Sequence, residues 1–243
     1  MFDQAVRRAA ACAMFFDCGR TGLLGTELEL KRATRIILSY NNLDHGAVAE
    51  CGTDIEEADV ATAQNLGQHR NHPAVQTVGA VSEVADQAPS ALLCSALLMV
   101  GIVAAKPKVA EAGSRMLASV LLATTIKTVL KKTITRTRPN VLLEQGEYDF
   151  RGGSSERGDR QSFPSGHTAD AVAAARGLTR VFPGTSSAAY AAALVIAAVQ
   201  VPRAKHYPLD LAAGALVGII SEALVNRAAA RLKVTPVGST LRN

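Results

Sequence analysis

The sequence predicts an all-α protein: a helical bundle of about five core helices behind an N-terminal extension. Three observations carry that prediction. Hydrophobic residues make up 48% of the 243 residues but aromatics only 4%, with no tryptophan, so Ala, Val and Leu supply the apolar surface, as in packed helices. Uncharged runs recur after Asp86 that are too long for single strands. Lys106-Pro107-Lys108 and Pro183-Gly184 punctuate those runs where helices would stop and restart.

Residues 1–84 read as an extension without legible chemistry. Asn41-Asn42 and His45-Gly46 mark a turn, and an amphipathic helix is predicted over 54–66. The apolar stretch within 1–16 ends at Asp17, too early for a signal peptide. The core runs over 85–230. Its segments are 88–105, a second at 116–126 cut off by Lys127 and Lys131, a helix after His167, one over 186–201, and one over 211–225. Residues 231–243 form a tail. Cys12, Cys18, Cys51 and Cys94 lack metal-ligand spacing and read as free thiols, and His69 with His72 as a solvated pair.

The formal charge of +5 suits an anionic substrate, a membrane surface or nucleic acid alike. The run 88–105 is near the lower limit for a membrane span. A buried soluble bundle would look similar. The cations favour the membrane reading. With helices alternating in direction, Lys106, Lys108 and Arg115, then Arg176 and Arg180, then Arg227, Arg231 and Lys233 share one face, the cytoplasmic one by the positive-inside rule. Residues 131–167 and 203–210 then share the extracytoplasmic face of a multi-pass protein.

Three groups fall on that second face. Lys131-x6-Arg138-Pro139 ends one helix, and Pro139 keeps Arg138 extended so that guanidinium and ammonium can meet a tetrahedral oxyanion. They could equally be a basic helix end facing water. In Pro164-Ser165-Gly166-His167, Ser165 is an N-cap type and Gly166 leaves the new helix N-terminus open to an anion. Alone it is also a plain helix start. In His206-x3-Asp210, Asp210 can accept from one imidazole nitrogen and leave the other nucleophilic, or the two can simply cap a helix. Asn140 to Ser162 between the first two groups reads as a polar surface loop.

These three motifs, in this order, resemble the signature of the phosphatidic acid phosphatase type 2 superfamily, which includes bacterial class A acid phosphatases and vanadium haloperoxidases. The resemblance covers roughly residues 85–226. It implies a helical bundle with the motifs at one end and a phosphohistidine mechanism. His206 attacks phosphorus and Asp210 orients it. His167 protonates the leaving alkoxide and then activates water. Lys131, Arg138, Ser165 and Gly166 hold the non-bridging oxygens. One departure stands out: where the family's third motif begins Ser-Arg, this chain has Val199 and Gln200. Gln200 keeps hydrogen-bonding capacity without charge, and Arg203, about one helical turn on, is the expected replacement.

The function expected is therefore metal-independent hydrolysis of a lipid phosphate mono- or diphosphate ester. No cofactor, no bound metal and no nucleic-acid partner are expected, and the oligomeric state is not legible. The alternatives are a soluble acid phosphatase, a vanadium-dependent haloperoxidase, or a non-catalytic anion-binding membrane protein, which Gln200 favours.

Overall fold

The computed structural model describes residues 45–232. The chain divides into compact units 1–58 and 59–243, and the site belongs wholly to the second. Cys12, Cys18, the turn at Asn41-Asn42 and residues 233–243 of the expected tail lie outside the described residues, while Arg231 and Leu232, expected in that tail, end the last helix.

In chain order the elements are α1 (His45–Gly67), α2 (Pro73–Ser82), a 3-10 turn (Glu83–Ala85), α3 (Gln87–Val103) and α4 (Pro107–Thr133). Then follow β1 (Ile134–Arg136), α5 (Pro139–Gln145), β2 (Phe150–Gly152), α6 (Gly166–Val181), α7 (Ser186–Ala198) and α8 (Pro208–Leu232). The five core helices expected are α3, α4, α6, α7 and α8. The turn expected at His45-Gly46 is the start of α1, since glycine weakens a helix but does not forbid one. His72 is not simply solvated: its Nδ1 accepts from the Ala74 backbone N–H at 3.2 Å and caps α2.

Helix α6 lies at the centre, packed against α3, α4, α7 and α8. It can be central because its buried face is small: Ala169, Ala173, Ala175 and Gly177 let neighbouring backbones come close. The tightest approach is by α8, through Gly214 and Gly218. A Cβ at Gly218 would stand 2.6 Å from the Ala169 carbonyl oxygen, and the Ser165 carbonyl leaves no room for one at Gly214. This is the small-xxx-small packing that brings membrane helices together without a hydrophobic driving force. It also delivers the start of α8 to the start of α6, where the Ser165 N–H donates to the Asp210 carbonyl at 3.0 Å.

Helices α4 and α8 are each long and apolar enough to cross a membrane, and α2 with α3, bent by 58° at their junction, form a third candidate. Large apolar side chains stand exposed on the outside of the bundle, among them Leu92 and Val103 on α3, Leu121 on α4, Leu194 on α7 and Leu216 on α8. Exposed apolar side chains on several helices are costly in water and favourable in lipid. The short antiparallel pair β1–β2, with Arg136 opposite Phe150, carries the connection from α4 to α6.

Candidate active site

Five chain segments meet at one end of the bundle: the start of α3, the end of α4, the start of α5, the start of α6 and the turn before α8. Between them is a cavity of about 130 Å³ lined by Lys127, Lys131, Arg138, Gly166, His167 and His206, with Asp86, Gln87 and Thr128. Five of the residues singled out from the motifs thus share one small space.

Each is placed by local structure. Lys127 and Lys131 are four apart on α4 and so project from one face. Pro139 opens α5 and holds Arg138 extended, at φ −72° and ψ 150°, with its N–H donating to the Asp159 carbonyl at 2.8 Å. The Arg138 Nε is buried without a partner among the described residues, so the fork keeps a donor in reserve. Gly166 brings the α6 N-terminus into the cavity wall, where a Cβ would stand 3.3 Å from Lys127 Nζ.

His206 is 2% exposed. Its Nδ1 donates to the Ser162 carbonyl at 2.7 Å, which fixes the tautomer and leaves a lone pair on Nε2. The direct bond expected from His206 to Asp210 is not made: Nδ1 and Asp210 Oδ2 are 3.7 Å apart. The carboxylate is already engaged by closer donors, namely Ser162 Oγ at 2.5 Å, Arg136 Nη1 at 2.8 Å and the Tyr207 N–H at 3.0 Å. Asp210 is therefore linked to His206 through Ser162, the residue whose hydroxyl it receives and whose carbonyl receives the ring N–H. Burial pushes the His206 pKa down to about 4, against the pull of Asp210, so the imidazole is neutral at ordinary pH. Burial also lowers His167, opposed by Glu83, whose Oε2 lies 3.3 Å from His167 Nε2.

Three expected contacts are placed elsewhere. The Ser165 hydroxyl is fully buried and committed to the helix cap, accepting from the Thr168 N–H at 3.4 Å and from the Thr168 hydroxyl at 3.0 Å. Arg203 does not reach the His206 cavity. Its guanidinium donates to Ser82 Oγ at 3.0 Å and to Glu83 Oε1 at 2.5 Å, and it lines a second cavity of about 440 Å³. It points there because α2 offers room at Gly79, where a Cβ would stand 2.7 Å from the Arg203 side chain. Gln200, fully buried, donates to Ser82 Oγ and to the Ile196 carbonyl, both at 3.0 Å, and likewise stays out of the small cavity.

Other residues at the site escaped the sequence reading. Lys127 pairs with buried Asp170 at 2.5 Å. Its spacing, one helical turn before Lys131, was a usable signal. Glu83 and Asp59 had none, because their partners lie far along the chain. Asp59 joins Asp210 in clamping Arg136, at 2.6 Å and 2.8 Å, and the guanidinium carbon sits 4.0 Å from the centre of the Tyr207 ring. That post carries the His206 turn from below. Among the described residues no trio of His, Cys, Asp or Glu is placed to hold a metal ion.

The family model described as the PAP2 superfamily matches residues 112–233. Two crystal structures share the fold. One is LpxE from Aquifex aeolicus, with a TM-score of 0.50 and 21% identity over 68% of this chain and 92% of that one. The other is the first transmembrane PAP2 type phosphatidylglycerolphosphate phosphatase from Bacillus subtilis, with a TM-score of 0.51 and 18% identity over 83% of this chain and 94% of that one. No curated protein matches the sequence.

Proposed function

We propose, from the premise that the chain belongs to the PAP2 superfamily and is by that membership a phosphoric ester hydrolase, that it releases phosphate from a lipid phosphate mono- or diphosphate ester at a membrane face. The observation that carries this reading is the meeting of His206, His167, Lys131, Arg138 and the α6 N-terminus in one cavity. At about 130 Å³ its volume is that of about four water molecules. That is the scale of a phosphoryl group and not of a lipid. The lipid must lie outside, where the exposed apolar faces of the bundle are.

The chemistry follows from the protonation states. His206 Nε2 attacks phosphorus in line, and the bond to the leaving oxygen breaks as phosphohistidine forms. His167, protonated, gives its proton to that oxygen. Water then attacks the phosphohistidine, losing its proton to His167, and phosphate leaves with His206 restored. Lys131, Arg138, Lys127 and the N–H groups at the α6 N-terminus meet the charge on the non-bridging oxygens, the main requirement of phosphoryl transfer. We read the site as facing the extracytoplasmic side: Arg176, Arg180 and Arg227 lie toward the opposite end of the bundle, and the positive-inside rule supports that reading.

The test is phosphate release from a panel of prenyl, glycerolipid and saccharolipid phosphates in EDTA. Activity with at least one lipid class, lost in both His206→Ala and His167→Ala, is expected. A fully active His206→Ala would refute the mechanism.

A further inference from the structure

The larger cavity, about 440 Å³, is lined by Arg70, Gln76, Ala80, Glu83, Arg203 and Lys205. We propose that it is a second oxyanion-binding site beside the first, taking either a further anionic group on the substrate head group or free phosphate. This inference rests on the reaction proposed above and deepens it.

The charges are unequal to one another. Three cations line the cavity against one carboxylate, Glu83. Arg203 Nη2 and Lys205 Nζ both donate to the same Glu83 oxygen, Oε1, at 2.5 Å and 2.8 Å. Glu83 Oε2 meanwhile faces His167 Nε2 at 3.3 Å. One carboxylate therefore serves two cavity cations and the imidazole of the neighbouring site. Arg70 has Glu144 at 3.5 Å, but both are substantially exposed, and such a pair is easily exchanged for an oxyanion.

The cavity is also organised in advance of a ligand. Arg203 is held by Ser82 Oγ at 3.0 Å and lies where Gly79 leaves space, so its guanidinium needs little ordering on binding. The side chains of Lys205 and Arg70 are 32% and 33% exposed, within reach of solvent. The Glu83–His167 pair separates the two cavities: Glu83 lines the larger and His167 the smaller. An oxyanion beside Arg203 and Lys205 would stand one side-chain pair away from the phosphoryl site, within the span of one head group. It would also compete with Glu83 for those cations and leave the carboxylate to His167.

Inorganic phosphate titrated calorimetrically into the full chain in detergent reads the site without turnover. Two bound phosphates are expected for the wild type and one for Arg70→Gln/Lys205→Gln. In a Lys131→Ala/Arg138→Ala background, the remaining phosphate should bind at least about tenfold more weakly once Arg70→Gln and Lys205→Gln are added. A single phosphate in the wild type, or binding indifferent to Arg70 and Lys205, overturns the proposal. Because no catalysis is required, failure of the phosphatase reading leaves this result standing. Kinetics on a lipid monophosphate and a diphosphate with the same chain separates the sources. A loss of about tenfold in kcat/KM for Arg70→Gln on the diphosphate alone assigns the site to the substrate. Equal rates on both, with weakened inhibition by added phosphate, assign it to free phosphate. In an active enzyme, unchanged substrate preference together with unchanged phosphate inhibition would overturn it.

Discussion

The route from Asp210 to His206 yields the sharpest prediction. If Asp210 orients the imidazole through Ser162, then Asp210→Asn and Ser162→Ala damage one chain of contacts and their effects must not add. Asp210→Asn removes the charge that receives Ser162 Oγ at 2.5 Å and Arg136 at 2.8 Å. Hydrogen bonds to charged groups contribute about 1.5–3 kcal/mol. If one such bond is spent on holding the His206 ring, kcat/KM falls by about one to two decades. Ser162→Ala cuts the same bond from the other side but keeps the backbone carbonyl that receives Nδ1 at 2.7 Å, so its loss should be no greater. The assay is steady-state phosphate release by both singles and the double variant, with melting temperatures to confirm folding, since Arg136 also loses a partner. The double variant should be no slower than the worse single, a coupling about equal to the whole Ser162 effect. Additive losses, or a silent Ser162→Ala beside a dead Asp210→Asn, would refute the relay and restore a direct Asp210–His206 contact.

The pH dependence should be acidic. His206 must be neutral and its pKa is about 4, whereas His167 must be protonated and burial places its pKa below the usual 6.5. The kcat/KM profile of the free enzyme should therefore rise near pH 4 and fall before pH 6.5. Glu83→Gln removes the charge that favours the imidazolium, so the falling limb should move to lower pH; a limb that stays or rises contradicts the pairing. Lys127→Met leaves Asp170 buried without its partner, a loss of roughly 3–5 kcal/mol, read as a much lower melting temperature that Asp170→Asn in the same chain partly restores. Gly214→Ala would drive a methyl group into the Ser165 carbonyl, costing about 1–3 kcal/mol and lowering activity through the displaced α6 N-terminus; an unchanged melting temperature would show that α8 can move aside.

The fold was readable because its determinants are local. Uncharged runs, the prolines at 107, 139 and 208, and the Ala-rich stretch after His167 each specify a helix or its start within a few residues. The five motif residues in the lining of the small cavity were readable for a related reason: each sits at a helix end announced by a proline, a capping serine or a terminal lysine. What could not be read were the side-chain partners. Nothing near Asp59 announces that it will clamp Arg136, and nothing near Glu83 announces His167, since both contacts close loops of more than seventy residues. The destination of Arg203 was missed because spacing along a helix places it near the motif but says nothing about Gly79 on α2, which makes room for it elsewhere.

The substitution at Gln200 is better understood as a redistribution of charge than as a loss. An arginine there would enter a fully buried position already committed to Ser82 and the Ile196 carbonyl. The neutral amide instead ties the turn before α8 to α2, and by the same anchor on Ser82 it sets Arg203 beside Glu83. The small cavity keeps Lys131, Arg138 and Lys127 as its cations, with Asp170 offsetting the last. Positive charge is thus divided between two neighbouring spaces, with Glu83 touching both. A carboxylate so shared is a sensitive element: whatever binds beside Arg203 and Lys205 changes how much of it remains for His167. Head-group binding and protonation of the leaving oxygen would then be coupled through one side chain, contributed by the stretch before residue 85 that the motifs leave out.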